Sequence, residues 1–271
     1  MPELPEIETV RLAVERLALG RTIAYYKVMR ADYFQQGAEF ASKLKGAKIT
    51  AVVRRGKFLS IVLDRGYVLM HHLGMSGRFL HVPTKTPIET HTHLRIGLDD
   101  GGSEFRQRDP RRFGFAAIFQ PGQLEMFDSW SCLGPDALEI RLNIFQKILH
   151  GRTAPIKNVL LNQRRIAGLG NIYVDEGLFR ANILPTRRAG DVSETESKLL
   201  LRSLKQVLKE SIRAGGSTTN DFQQLDGRFG EFQHAHRVYG RQGQPCLNCR
   251  KEIHKVVLGG RGTHFCPSCQ K

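Results

Sequence analysis

Near the C-terminus, Pro245-Cys246-Leu247-Asn248-Cys249 is answered by Phe265-Cys266-Pro267-Ser268-Cys269. A Cys-x-x-Cys turn presents two thiolates to one ion, and two such turns complete a tetrahedral site. With four ligands no position stays open, so the spacing predicts one structural zinc. Four free thiols or a redox pair are poorer readings, because redox motifs carry a lone Cys-x-x-Cys in an α/β unit. Between the pairs lie Lys251, Lys255, Arg261 and His264 with one acid, Glu252. A cationic hairpin of that kind suits phosphates. The fifth cysteine, Cys132, stands apart, and with Trp130 it reads as a core or boundary residue.

Upstream of this module the pattern is helical. Leu142, Phe145, Ile148 and Leu149 line one helix, and Val159, Leu160 and Leu161 belong to a second. A third starts after Gly168-Leu169-Gly170-Asn171, and a fourth runs over 194–213. Glycines before a helix let the backbone approach a ligand, and the helix start offers free N–H groups to a phosphate. Asn171 could cap that helix or bond a phosphate, although a plain helix-to-helix turn explains the motif equally well. Residues 215–233 show no period and read as a long loop, which in a compact domain is often functional. His234 and His236 read as solvated loop residues.

Gly134-Pro135 marks the change to a β-rich first half. Residues 6–19 predict an amphipathic helix, with Ile7, Val10, Val14 and Leu17 at helical spacing. Short strands follow over 22–29, 48–53, 58–63, 67–70, 93–98 and 115–119, with a polar, exposed loop at 83–92. Strands at this spacing predict a β-sandwich or barrel.

The bulk numbers fit two modest domains. The chain has 271 residues, with 41 Lys and Arg against 26 Asp and Glu, a net charge of +15. So basic a protein usually meets a polyanion; a merely basic surface is the plainer reading. No run reaches the apolar length of a membrane helix, and the acidic start resembles no secretory signal. These features predict an intracellular protein in a reducing compartment.

Two further motifs carry chemistry. Asp109-Pro110-Arg111-Arg112-Phe113-Gly114 places cations and an aromatic in one turn. Such a turn can push a side chain into a DNA stack, or be a solvated basic turn around a core Phe. Pro2 becomes a free secondary amine if Met1 is excised, with a pKa well below that of Lys. Attack on an aldehydic sugar carbon gives an iminium, which makes β-elimination easy, and Glu3 is placed to act as general acid. A rigid start to the first helix explains the same residues.

Taken together, the motifs resemble the bacterial formamidopyrimidine-DNA glycosylase family. The matching stretches are Pro2-Glu-Leu-Pro-Glu-Ile-Glu-Thr-Val, Arg54-Arg-Gly-Lys57-Phe-Leu and His72-Leu-Gly-Met75-Ser-Gly, then Asp109-Pro-Arg-Arg-Phe-Gly, Gly168-Leu-Gly-Asn-Ile-Tyr, Val238-Tyr-Gly-Arg and Gly260-Arg-Gly-Thr-His-Phe-Cys. They fall in order along the whole chain. The resemblance implies an α+β fold: an N-terminal β-sandwich domain with a leading helix (1–131), a helix-two-turns-helix domain with a lesion-recognition loop (132–235) and a zinc finger (236–271). It implies base-excision repair of duplex DNA that carries oxidised bases. The enzyme would be a bifunctional glycosylase and abasic-site lyase that removes 8-oxoguanine and formamidopyrimidines and nicks by β,δ-elimination. DNA would lie in a basic cleft, with the damaged nucleotide flipped out.

Site residues follow from the same resemblance. Pro2 matches the Schiff-base nucleophile and Glu3 its acid/base partner; Lys57 and Arg261 match the proton donors of β- and δ-elimination. Met75, Arg111 and Phe113 match the wedge that fills the hole left by the flipped base. His72, His91, Arg152, Lys157 and Asn171 fall where family members touch the DNA backbone. Cys246, Cys249, Cys266 and Cys269 match the zinc ligands. Residues 217–226 match a flexible loop that closes over oxidised guanine, with no single contact carried over. Glu6 belongs to the pattern and serves either the active site or the helix. A bacterial, cytoplasmic, nucleoid-associated monomer without a membrane partner is expected.

Two rivals remain at this point. Endonuclease VIII, the sister enzyme for oxidised pyrimidines, shares the Pro-Glu start and the zinc finger; Leu4, the Arg111/Phe113 wedge and the 217–226 loop favour the purine branch. A non-catalytic nucleic-acid-binding protein with a zinc ribbon keeps the charge and the cysteines but leaves Pro2, Glu3 and Lys57 unexplained.

Overall fold

The computed structural model describes residues 2–271, so Met1 and the expectation of its removal lie outside the described residues. The chain divides into two units: residues 1–132 with 214–231, and residues 133–213 with 232–271. The loop expected within the helical domain thus belongs to the first unit, and the cysteine module joins the helices in the second.

The first unit opens with α1 (Leu4–Ala18). Glu3 and Glu6 form a capping box at its start, and Glu6 Oε2 accepts the Glu3 N–H at 2.7 Å. Leu4, Ile7, Val10, Val14 and Ala18 recur every three or four residues and are buried. Each large aliphatic among them contributes about 1.5–3 kcal/mol of burial. Nine strands follow: β1 (Ile23–Val28), β2 (Phe34–Gln36), β3 (Ile49–Arg55), β4 (Phe58–Leu63), β5 (Val68–His72), β6 (Arg78–Pro83), β7 (Thr92–Leu98), β8 (Ser103–Arg108) and β9 (Phe115–Phe119). One sheet has the order β1-β7-β8-β6 and the other β2-β9-β5-β4-β3. Residues of both sheets share one core with α1: Leu94, Ile96 and Phe105 with Leu59, Ile61, Leu69 and Ile118. This is the expected sandwich with its leading helix.

Strands β2, β6 and β8 go beyond the sequence expectation. β8 hides its pattern, because Phe105 shares its strand face with Ser103 and the buried Gln107, while buried Glu104 and Arg106 lie on the other face. Glu104 takes the Arg106 guanidinium at 2.5 Å and that of Arg95 at 2.8 Å. These pairings neutralise charge that is buried on the face opposite Phe105. A short helix, α2 (Asp128–Ser131), ends the segment. Cys132 beside it is exposed rather than core.

The second unit contains α3 (Leu142–Leu149), α4 (Ile156–Leu161), α5 (Asn171–Arg180) and α6 (Glu194–Arg213). α5 packs between α6 and the hairpin of β10 (His254–Leu258) and β11 (Arg261–Phe265). Tyr173, Val174 and Leu178 of α5 and Leu200, Leu204 and Leu208 of α6 are buried. No helix among the described residues is long and apolar enough to cross a membrane.

Candidate active site

In the first unit the chemistry gathers at the start of α1. Pro2 and Glu3 are buried there. Glu6 uses both carboxylate oxygens: Oε2 holds the Glu3 N–H, and Oε1 accepts the Ser217 N–H at 2.8 Å. The 214–231 segment is therefore tied directly to the helix that carries Pro2 and Glu3. It is packed as well as tied. Phe222 and Leu225 enter the sandwich core, Leu225 O accepts the His81 N–H at 2.7 Å, and Arg78 donates to Gln223 Oε1 at 2.9 Å.

Lys57 sits in the two-residue turn between β3 and β4, half-buried. Across the strand pair, Phe58 faces His72. The His72 ring stacks on Phe115, with centroids 5.4 Å apart. Its Nδ1 accepts the Gly74 N–H at 3.2 Å, so the ring proton sits on Nε2. Burial, then the Lys57 charge, holds His72 down to about 4, against a weaker pull upward from Asp109. His72 is a neutral donor at neutral pH, beside a lysine.

The wedge candidates occupy two adjoining turns. Phe113 is 55 % exposed and Met75 36 %, so both tips are open to a partner. The Arg111 guanidinium lies over the Phe113 ring, 4.8 Å from its centroid. The turns approach backbone to backbone. A Cβ on Gly74, whose φ is +60°, would stand 2.3 Å from Gly114 N; a Cβ on Gly114 would stand 2.4 Å from His72 O. Only glycine permits that approach.

Asp109, a member of the Asp109–Gly114 motif, is buried at the root of the second turn and holds its surroundings together. Its Oδ1 accepts Ser76 Oγ–H at 2.6 Å; its Oδ2 accepts the Gly114 N–H at 2.8 Å and Tyr33 O–H at 3.3 Å. Its backbone N–H donates to His91 O at 3.0 Å, and its backbone O lies 2.9 Å from His93 Nε2. One carboxylate residue thus fixes the Met75 turn, the Arg111–Phe113 turn and the His91 loop. His91 itself is exposed, with φ at +67°.

The second unit holds the remaining candidates. Arg152 and Arg261 are exposed, as a phosphate contact requires. Lys157 is fully buried: its ammonium donates to Asp175 Oδ1 at 2.6 Å and to Gly262 O at 3.1 Å. Buried in that pairing, it does not present its charge to a DNA backbone. Asn171 does not cap α5, whose N-cap is Gly170; its Nδ2 donates to Gly262 O at 2.8 Å. His264 also leaves the expected cationic surface. It is buried, and its N–H donates to Asp175 Oδ2 at 2.9 Å. Three side chains of the helical module therefore hold the hairpin next to Arg261. His236 is buried rather than solvated, and burial holds its ring down to about 4.

The four cysteines converge: their sulfurs all lie within 4.8 Å of one another, with Cys246 to Cys269 at 3.8 Å and Cys249 to Cys266 at 3.5 Å. A tetrahedral zinc with bonds of about 2.3 Å needs sulfurs about 3.8 Å apart. The donor set fits one structural zinc. Cys246 and Cys266 also share a small core with Phe179, Val238 and Ile253, so the ion and the hairpin fold are coupled.

Three family models match the chain: the formamidopyrimidine-DNA glycosylase N-terminal domain over residues 1–116, the H2TH domain of the same enzymes over 133–223, and a zinc finger found in FPG and IleRS over 243–271. The formamidopyrimidine-DNA glycosylase of Bacillus subtilis is 42 % identical over 275 residues, covering 100 % of this chain and 99 % of the relative. That of Dinoroseobacter shibae is 39 % identical over 288 residues, with both chains fully covered. Among solved structures, a Lactococcus lactis FPG mutant in complex with Fapy-dG containing DNA superposes with a TM-score of 0.92 at 34 % identity over 100 % of both chains. The MutM (FPG) protein of Thermus thermophilus gives 0.88 at 39 % identity, covering 99 % of this chain and 98 % of that one. Sandwich, helical module and zinc hairpin all match in order, and the chain belongs to the formamidopyrimidine-DNA glycosylase family.

Proposed function

We propose that this protein excises oxidised purines from duplex DNA and then nicks the abasic strand, with the Pro2 amine as nucleophile. The observation that carries the reading is the tie between α1 and the 214–231 segment. A segment fit to cover a flipped base is anchored, through Glu6 and Ser217, on the helix that begins with Pro2 and Glu3. The substrate class rests on the relatives, whose solved complexes hold DNA with Fapy-dG or carbocyclic 8-oxo-G.

With Met1 removed, the Pro2 nitrogen attacks C1′ of the damaged nucleotide as the C1′–N9 bond breaks and the base leaves. The sugar ring opens, and Glu3 supplies the proton to the ring oxygen. The resulting iminium acidifies C2′. Loss of a C2′ proton expels the 3′ phosphate, and a second elimination expels the 5′ phosphate. Lys57 and Arg261 serve as the proton donors of the two eliminations.

Met75, Arg111 and Phe113 fill the vacated stack, supported by their exposure on two braced turns. His72 donates Nε2–H to a backbone phosphate, and His91, Arg152 and Asn171 add further backbone contacts. Lys157 acts one step back, by holding Gly262. The net charge of +15 suits a protein working at the nucleoid in the cytoplasm.

The test is borohydride trapping on a duplex with 8-oxoguanine opposite cytosine, followed by peptide mapping. A reduced crosslink at Pro2 is expected. A crosslink at a lysine overturns the nucleophile. No crosslink with a confirmed free Pro2, but trapping on thymine glycol, overturns the substrate class.

A further inference from the structure

We propose that Ser76 is a positioning residue that makes the two wedge turns insert as one body. The proposal rests on the wedge reading of Met75 and Phe113 given above. Ser76 directly follows Met75, is buried, and uses its hydroxyl in two directions. Oγ–H donates to Asp109 Oδ1 at 2.6 Å, and Oγ accepts the Arg111 N–H at 3.1 Å. The residue after the first wedge side chain thus holds the backbone of the second wedge turn. No other side chain among the described hydrogen bonds joins these two turns directly to each other; Asp109 lies at the root of one and reaches the other through this same hydroxyl.

A second observation points the same way. Gly74 and Gly114 bring the two backbones into contact without an intervening side chain, so the turns have little freedom to move separately while the Ser76 bonds persist. Behind them, Tyr33 O–H reaches Asp109 Oδ2, and Gln107 Nε2 donates to Tyr33 at 2.9 Å. The Ser76 hydroxyl is the outermost member of this buried chain. Without it, Arg111 N–H and Asp109 Oδ1 lose their partner, while the exposed tips that would touch DNA stay chemically intact. The consequence is specific: Ser76 governs how Met75 and Phe113 cooperate, not what either side chain contacts.

A double-mutant cycle reads that cooperation. Met75→Ala, Phe113→Ala and the double variant are compared by single-turnover excision of 8-oxoguanine, first in the native chain and then with Ser76→Ala. In the native chain the double variant is expected to lose at least about 5-fold less than the product of the single losses. With Ser76→Ala the coupling is expected to fall below about 2-fold. Ser76→Thr, which keeps the hydroxyl, retains the native coupling. Ser76→Cys, close in size but a weak hydrogen-bonding group, behaves like the alanine variant and stands in for it if that chain fails to fold. An equal coupling in the native, Ser76→Ala and Ser76→Cys chains overturns the proposal while the wedge reading survives. Single variants within 2-fold of the native rate overturn the wedge reading itself, before Ser76 is touched, and the proposal with it.

Discussion

The Glu6 carboxylate accepts the Ser217 backbone N–H at 2.8 Å across 211 positions of sequence while its other oxygen holds the Glu3 N–H. Two donors converge on one carboxylate, so an amide cannot replace it. In Glu6→Gln one oxygen is left for two N–H groups, and the new NH2 confronts the other donor. Losing a buried hydrogen bond of this kind costs about 1–3 kcal/mol. We expect urea unfolding to show that loss. If the 214–231 segment covers the base, as proposed, excision of 8-oxoguanine is expected to fall at least 10-fold more than nicking of a preformed abasic site. Equal losses on the two substrates would show that Glu6 supports only the helix.

Three buried histidines give the stability a pH slope whose sign is fixed. Burial holds His71, His72 and His236 near 4, against an ordinary value of 6.5. Above about pH 6.5 each ring is neutral in both states and contributes fully. As the pH falls from there toward 4, the unfolded chain takes up protons that the folded rings refuse, and stability is lost. At about 1.4 kcal/mol per pKa unit, the loss is on the order of 3 kcal/mol for each ring by pH 4. His71 is the clean test, since it is wholly buried with Nδ1 2.8 Å from Gln107 Oε1. His71→Gln is expected to flatten the fall in unfolding free energy between pH 7 and pH 5. An unchanged slope in that variant would locate the acid sensitivity elsewhere.

The features legible in the sequence were those with a local period or a local spacing. Ile7, Val10, Val14 and Leu17 announce α1, and the doubled Cys-x-x-Cys announces the metal site. β8 was silent because its core-facing positions read Ser103, Phe105 and Gln107, with Gln107 buried, so one apolar residue stands where a strand signal needs two or three. The placement of 214–231 was silent for another reason. Its tie to α1 runs through the backbone N–H of Ser217, a group every non-proline residue carries. Lys157, expected at the DNA backbone by resemblance, is instead buried against Asp175 on the next helix, a pairing only the fold brings together. Its position between Ile156 and Val159, both buried, was the one available signal.

The Lys157–Asp175 pair yields a prediction that separates burial from DNA contact. Both side chains are fully buried, and Asp175 also holds the His264 N–H on β11. Removing the ammonium in Lys157→Met leaves a buried carboxylate short of its countercharge, which costs about 3–5 kcal/mol. The Gly262 carbonyl loses a donor as well, although Asn171 still reaches it. The expected result is a matching loss of unfolding free energy, with faster zinc release to a chelator because the hairpin is less firmly seated. The double variant Lys157→Met with Asp175→Asn recovers part of the loss, since the unpaired charge is gone. DNA affinity discriminates further. A lysine on a phosphate contributes about one unit to the dependence of log Kd on log salt. A lysine sealed against Asp175 contributes nothing to that slope, so the folded Lys157→Met protein should keep the native salt dependence, whereas Arg152→Ala should lower it. A slope reduced by about one in Lys157→Met would mean that the ammonium leaves Asp175 when DNA binds.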